Sequence, residues 1–324
     1  MGDHEQFGIC GGVPVEDYAT GKIKRHEVTT VKKENDRTRL SYVQNANVGP
    51  VFLTYRDCAS VDDLVKRVTS QPPETSFVGP DKVEHKVWPV SDPQMLYEFQ
   101  KAFKEVPYTY IADGHHRSAS AFRVGEMKIK EAIARGETIS GAEPFNYFMA
   151  VLFPASHLKI QEYNRYVKDL AGFTEAQFLE RVAVCFEVTQ VGPGLPKLSG
   201  PTEVGMRLKG CWYHLKCKEG TFDPKDPVNG LDVQVLYDNL LVPVLNIVNE
   251  RTDDRISYVG GIRGPGELER LVESGQAAVA FWMYPVTIEQ LMAVSDAERL
   301  MPPKATWFEP KLSSGLIVRC LDSA

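Results

Sequence analysis

The sequence predicts an α/β fold of mixed sheets and helices, divided into two domains. Three observations carry that prediction. Short apolar, β-prone runs alternate along the chain with amphipathic runs of helical length. At 108–124, "YTYIADGHHRSASAFRV", a run of strand character passes through a glycine turn into a small, helix-compatible run. The 324 residues, 43% hydrophobic and 25% charged, suit a globular chain long enough for two or three domains.

Taken in order, the first expected strand lies in "FGICGGVPVEDY", from Phe7 onward. Lys32 to Arg39 is charged and favours helix, and "VGPVFLTY" is apolar enough for a buried strand. Ser60 is expected to cap the amphipathic helix "SVDDLVKRVTS", with Asp62 and Asp63 in its first turn. "HKVWPVSD" alternates as a strand does, and Asp92-Pro93 opens the helix "PQMLYEFQKAFKEV". With the strand–turn–helix unit that follows, these elements make a first domain, 1–141. In the second, 142–324, "FNYFMAVLFPA" opens as a buried strand, "FTEAQFLERVAVCF" is a helix, and "VGPGLPKLSGP" is a surface connection. "VGMRLKGCWYHLKCK" reads as a hairpin and "LDVQVLYDNLLVPVLNI" as one helix with a late proline. "GELERLVESG" is the helix between the strands "RISYVGG" and "AAVAFWMYPV".

Composition narrows the partners. The net charge is −6 and no long block of Lys and Arg is present, so a nucleic-acid footprint is not expected, although a local basic pocket stays open. The six cysteines are scattered without a C-x-x-C pair, as in a chain of reduced thiols. No apolar run approaches a membrane span, no signal-peptide pattern opens the chain, and Gln6 stands where a myristoylation site has Ser or Thr. The expectation is a cytoplasmic protein without a membrane partner.

The chemistry concentrates at Asp113, Gly114, His115, His116 and Arg117. A strand–turn–helix order aims the first free amides of a helix at whatever lies above the turn, and a phosphate is the usual guest. Gly114 permits close approach of backbone to ligand. Arg117 brings a planar fork of donors suited to phosphate or carboxylate. The structural alternative makes Asp113 an N-cap and the histidines satisfied loop residues. Zinc is disfavoured, because adjacent helical residues diverge by about 100° and no H-E-x-x-H spacing occurs.

Two other stretches carry candidates. "KRHEVTTVKKENDR" holds Arg25, His26 and Glu27 together, with Asp36 and Arg37 further on. A carboxylate beside basic residues can serve as a general base, against the alternative of a solvated charged face. "MPPKATWFEPKL" holds Lys304 and Lys311, point charges suited to phosphate, against the alternative of a rigid coil packing Trp307 and Phe308. "YVGGIRGPGELERL" has the order of a dinucleotide fingerprint without its spacing and reads as a loop.

Block after block, "GGVPVEDYATGKIKRHEVTTVKKENDR", "ANVGPVFLTY", "YIADGHHRSASA" and "VAFWMYPVTIEQLMAVSDAERLMPPKATWFEPKLSSGL" resemble the family known as domain of unknown function 1015, over nearly the whole chain. Members of that family carry a further segment before the block matching Gly8 onward, so a pocket wall from it is expected to be missing here. The turn also resembles the phosphate-binding turn of the ParB/sulfiredoxin superfamily, whose free-serine kinases carry Asp-Gly-His-His-Arg over the nucleotide phosphates and a catalytic glutamate nearer the N-terminus. Carried over, Asp113 to Arg117 match the motif residue by residue, and Glu27 takes the place of the glutamate by position and local context. Sulfiredoxins need a cysteine where this chain has His115, and ParB proteins follow the motif with a basic helix-turn-helix that is not seen here.

The resemblance implies a ParB/sulfiredoxin-like phosphate-binding domain followed by a second α+β domain. It further implies a phosphotransferase that takes ATP or ADP and Mg²⁺, the latter helped by Asp113. Glu27 would accept the proton of a small hydroxyl metabolite, free serine among the candidates, while His115, His116 or Lys304 stabilises transferred charge. A non-enzymatic nucleotide or phosphometabolite sensor and a slow nucleotide hydrolase are the alternatives.

Overall fold

The computed structural model describes residues 4–80 and 82–322, and the chain divides into two units, Met1–Leu158 with Glu309–Ala324, and Lys159–Phe308. In the first, β1 (Ile9–Pro14) runs into the short α1 (Val15–Ala19) and β2 (Ile23–Lys24). The charged run after Thr30 becomes α2 (Val31–Gln44), which stops at Asn45 in the left-handed conformation, φ 51°, a place asparagine tolerates better than most residues. Next come β3 (Ala46–Asn47), β4 (Val51–Tyr55), α3 (Ala59–Thr69) and the hairpin of β5 (Thr75–Val78) and β6 (Glu84–Val87). α4 (Pro93–Phe103) starts as expected, with Asp92 accepting the Met95 amide at 2.8 Å and proline at its first position. β7 (Thr109–Asp113), α5 (His115–Ala134) and β8 (Tyr147–Pro154) complete this unit's main elements.

Its sheet has the order β1-β8-β4-β7-β2. The pairing is mixed: β4 runs parallel to β8 and antiparallel to β7, while β2 runs parallel to β7. Val51, Leu53 and Tyr55 alternate along β4 and bury with Ile111, Ala150 and Leu152 on one face. Ala119 and Ala121 of α5 and Val61 and Leu64 of α3 cover that face.

In the second unit β9 (Ile160–Gln161) and β10 (Tyr163–Val167) precede α6 (Glu175–Cys185), which opens with a reciprocal cap between Thr174 and Gln177. β11 (Phe186–Gly192), then β12 (Glu203–Leu208) and β13 (Cys211–Cys217), lead to α7 (Asp232–Leu236). β14 (Ile256–Gly260), α8 (Pro265–Glu273), β15 (Val279–Trp282), α9 (Ile288–Asp296) and β16 (Trp307–Phe308) follow. The six-stranded sheet β11-β13-β12-β15-β10-β14 is antiparallel throughout. α8 packs Leu268, Leu271 and Val272 against Trp212, Val259 and Ala280. The last strand, β17 (Arg319–Cys320), pairs with β3 in the first unit.

Several local expectations are revised. β8, read as the opening of the second domain, pairs with β1 and β4 in the sheet of the first unit. α3 is entered through Cys58 rather than capped by Ser60, whose hydroxyl instead donates to Glu105 at 3.0 Å. The helix read from "LDVQVLYDNLLVPVLNI" stops at Leu236 and loosens into a π-helical turn over Tyr237–Leu241, ahead of Pro243. Among the described residues, no helix is long and apolar enough to cross a membrane.

One buried carboxyl gives the second unit a pH signature. Asp232, 4% exposed, accepts the Thr202 amide at 2.7 Å, yet burial pushes its pKa up to about 7. Between pH 4 and that value the folded chain holds a proton that the unfolded chain has released, so stability is full in acid and falls as pH rises. The loss is about 4 kcal/mol across the window. Denaturant titrations at several pH values should show this slope in the native chain and not in Asp232→Asn; equal slopes in both would rule the assignment out.

Candidate functional site

The parallel pairing of β2 with β7 decides where the site forms. Ile23 lies opposite Thr109 and Lys24 opposite Tyr110, so both chains leave the sheet at the same end. Arg25, His26 and Glu27 leave there from one strand, and Asp113 to Arg117 leave from the other. Residues nearly ninety positions apart in sequence thereby come into contact. Glu27 Oε2 lies 3.6 Å from His115 Nδ1.

The turn itself is tight. Gly114 has φ 108° and ψ 29°, a left-handed conformation that glycine adopts without steric cost, and α5 starts at the next residue. The helix therefore begins three residues earlier than the small-residue run predicts, and all of His115, His116 and Arg117 belong to its first turn. Arg117 folds back over the glycine: a side-chain carbon on Gly114 would sit 2.8 Å from Arg117 Nε. Its Nη2 donates to Asp113 Oδ2 at 3.1 Å, and Lys311 Nζ lies 3.9 Å from the same oxygen. The Arg117 Nε–H is buried with no hydrogen-bond partner among the described residues. An unpaired charged donor beside the start of a 20-residue helix is an arrangement suited to an anion. Asp113 is thus an ion-pair acceptor, and not a cap of α5.

The histidines turn toward the segment that carries Glu27. The backbone N–H of His26 donates to His115 Nε2 at 3.5 Å, and the backbone N–H of Thr30 donates to His116 Nε2 at 3.0 Å. The rings of His26 and His115 meet edge to face with centroids 4.5 Å apart. Burial lowers both: it takes His26 down to about 4, opposed by Asp113, and holds His115 well below the usual histidine range, helped by His26, His116 and Arg25. Burial is also the main cause that lowers His116.

Beyond Thr30 the charged run is mostly exposed, but Glu34 and Asn35 are engaged by α5. Ser120 of α5 donates to the Glu34 carbonyl at 3.0 Å, and Arg123 reaches the Glu34 carboxylate at 3.0 Å and Asn35 Oδ1 at 2.8 Å. Thr29 donates to the other Glu34 oxygen at 2.9 Å. Sequence reasoning missed these α5 partners of Glu34; their only signal was a helix with almost no apolar stripe, which must find polar contacts if it packs at all.

Lys304 lies in the second unit, in the left-handed region at φ 57°. Its ammonium stands over the Tyr163 ring, 5.3 Å from the centroid. The turn that presents it is gripped from below: Arg165, fully buried and paired with Glu250 at 3.3 Å, donates to the carbonyls of Pro303 and Lys304. Lys311, flagged by the same stretch, lies in the first unit beside Asp113. No group of three or more His, Cys, Asp or Glu side chains suited to a metal ion occurs among the described residues.

Comparison with known proteins adds the following. The model of a family described as protein of unknown function, DUF1015, matches residues 1–234. No curated protein matches the chain. Among solved structures, a mutant free serine kinase in complex with AMP has a TM-score of 0.44 at 11% identity, covering 94% of this chain and 89% of that one. A conserved hypothetical protein from Pyrococcus furiosus has a TM-score of 0.43 at 13% identity, covering 96% and 95%. SbnI with a C-terminal truncation, from Staphylococcus aureus, has a TM-score of 0.45 at 12% identity, covering 97% and 85%. At these scores and identities the likeness assigns no ligand to this chain.

The buried histidines make the first unit sensitive to acid. With His26 near 4 when folded and near 6.5 when unfolded, the unfolded chain takes up a proton across that window and the folded chain does not. Stability is full above pH 6.5 and falls by about 3 kcal/mol for this group as pH drops toward 4. His26→Gln should remove that component from unfolding curves recorded between pH 4 and 7.5. An unchanged acid slope would show that another group is responsible.

Proposed function

The chain belongs to the family described as protein of unknown function, DUF1015, and on that premise we propose that it is a nucleotide-dependent phosphotransferase acting on a small hydroxyl metabolite. The observation that carries the reading is the meeting of an anion-seeking turn with a carboxylate: the unpaired Arg117 Nε–H at the start of α5, and Glu27 held 3.6 Å from His115. The phosphates of ATP or ADP would rest on the first amides of α5, with Gly114 allowing the approach and Arg117 supplying a fixed donor. The acceptor hydroxyl attacks the terminal phosphorus, the bond to the bridging oxygen breaks, and the nucleotide leaves one phosphate shorter. Glu27 takes the hydroxyl proton as the oxygen attacks. Donors fixed in advance at the helix start favour the charge that builds on the phosphoryl oxygens.

Asp113 is the carboxylate of the turn and the residue that would hold Mg²⁺. A single carboxylate fits that ion, which binds through one or two carboxylates together with substrate phosphates. When bound it would neutralise phosphate charge. Within the second unit, and by itself, Lys304 is proposed as a phosphate-binding cation, on the strength of a left-handed backbone held in place by Arg165.

Arg117→Ala should weaken binding of Mg²⁺–ADP by about 1.5–3 kcal/mol, the range for hydrogen bonds to charged groups, as read by titration calorimetry. Glu27→Gln should leave nucleotide affinity in place while transfer to hydroxyl amino acids, serine first, falls about 10²–10⁴-fold. Transfer at the native rate in Glu27→Gln removes Glu27 from the mechanism. Clear nucleotide binding with no transfer to any hydroxyl acceptor replaces this reading with a sensor, and phosphate release without an acceptor replaces it with a hydrolase.

A further inference from the structure

We propose that His115 and His116 are positioning residues whose Nε2 atoms clasp the Glu27 segment to the phosphate turn, leaving both rings in the tautomer with the proton on Nδ1. The inference deepens the phosphotransferase reading, since Glu27 is the group being positioned. It changes the role of the two histidines: Nε2 of each is engaged as an acceptor and so cannot donate to a phosphate.

The tautomers follow from what each ring nitrogen meets. A neutral imidazole has one nitrogen that donates and one that accepts. A backbone N–H can only donate, so the nitrogen it approaches must carry the lone pair. Thr30 N–H meets His116 Nε2 at 3.0 Å, which puts the His116 proton on Nδ1. For His115 two neighbours demand the same answer. The His26 amide approaches Nε2 at 3.5 Å, and the Glu27 carboxylate faces Nδ1 at 3.6 Å. The reverse tautomer would set an N–H against an N–H and a lone pair against a carboxylate.

The spacing suits a clasp. His115 and His116 are adjacent on α5, so their side chains diverge by about 100°. That divergence defeats a shared metal ion and lets the two rings reach amides at positions 26 and 30. These two points bracket Glu27. Thr30 is also the residue from which α2 starts, so the second grip fixes the entry to that helix. Both rings sit in the first turn of α5, directly after Gly114. Any shift of the phosphate turn is therefore carried to the carboxylate through two rigid rings.

The first test needs no activity. Nitrogen-15 NMR of the full chain with ring-labelled histidine, with signals assigned from single variants, should show Nδ1-protonated rings at both 115 and 116. An Nε2-protonated ring at either position overturns the clasp there. The second test separates positioning from phosphate binding. In His116→Gln the amide oxygen reaches the Nε2 place and still accepts from Thr30; in His116→Asn the shorter amide reaches only the Nδ1 place. The clasp predicts that kcat for transfer from Mg²⁺–ATP or Mg²⁺–ADP, whichever serves as donor, falls on the order of 10²-fold in His116→Asn, as for an Å-scale misplacement of a catalytic group, with the nucleotide KM little moved. His116→Gln should recover most of that loss. Hydrogen exchange at the Thr30 amide should quicken in His116→Asn and stay protected in His116→Gln. A raised nucleotide KM in His116→Gln with kcat retained in His116→Asn would instead make the ring a phosphate ligand and overturn the proposal. If the native chain transfers nothing, the phosphotransferase reading falls alone, and the tautomers and the Thr30 exchange still decide the clasp.

Discussion

The candidate site depends on one short parallel pairing. β2 is two residues long and lies at the edge of its sheet, yet its direction beside β7 delivers Glu27 and the Asp113–Arg117 turn to the same end. An antiparallel pairing would send the Glu27 segment to the opposite end of the sheet. So short a strand cannot be held by two ladder positions alone. Ile23, 1% exposed and packed into the core of the first unit, adds to the hold, and the Thr109 amide donates to the Lys22 carbonyl at 3.0 Å. The position of a candidate catalytic carboxylate therefore depends in part on the burial of one isoleucine four residues before it, beside the contacts that His115 and His116 make with the same segment.

The charges at the turn are arranged as a reserve of donors rather than a bare positive patch. Asp113 occupies Nη2 of Arg117 and draws Lys311 toward it, which keeps both cations oriented. Burial holds the neighbouring histidines toward their neutral forms, so they add hydrogen-bonding geometry without adding charge. What remains without a partner among the described residues is the buried Arg117 Nε–H, beside the positive end of a long helix. The second unit uses the same device in another form. There a buried Arg165–Glu250 pair grips main-chain carbonyls and fixes the loop of Lys304.

How much of this was legible in the sequence follows from how local each signal is. β7, Gly114 and α5 are contiguous, and strand period, turn glycine and small helix residues name them directly. Asp92 announces α4 for the same reason. β8 reads as the opening of the second domain because nothing within Tyr147–Pro154 says which strands lie beside it; its partners β1 and β4 are remote in sequence. Ser60 looked like a cap because serine at such a boundary usually is one, and the preceding Cys58 gave no competing signal. α9 was not separated from the C-terminal block, although Thr287 and Gln290 form a reciprocal cap at its start. The histidines were legible as site candidates, and their hydrogen-bond partners were not. Their partners are main-chain amides, which no side-chain pattern records.

α2 carries a consequence of its own. A single side chain, Thr38, is buried along its whole length, while Val31, Leu40 and Val43 stay exposed. The helix is held by the Glu34 contacts to Ser120 and Arg123 and by Tyr42 donating to Glu131 at 2.5 Å. Its detachment would uncover little apolar surface, so the accompanying change in heat capacity is small. Most of a folded chain gains and loses stability along a curved temperature profile. The attachment of this helix, governed by polar contacts, is expected to follow a flatter profile than the apolar core does.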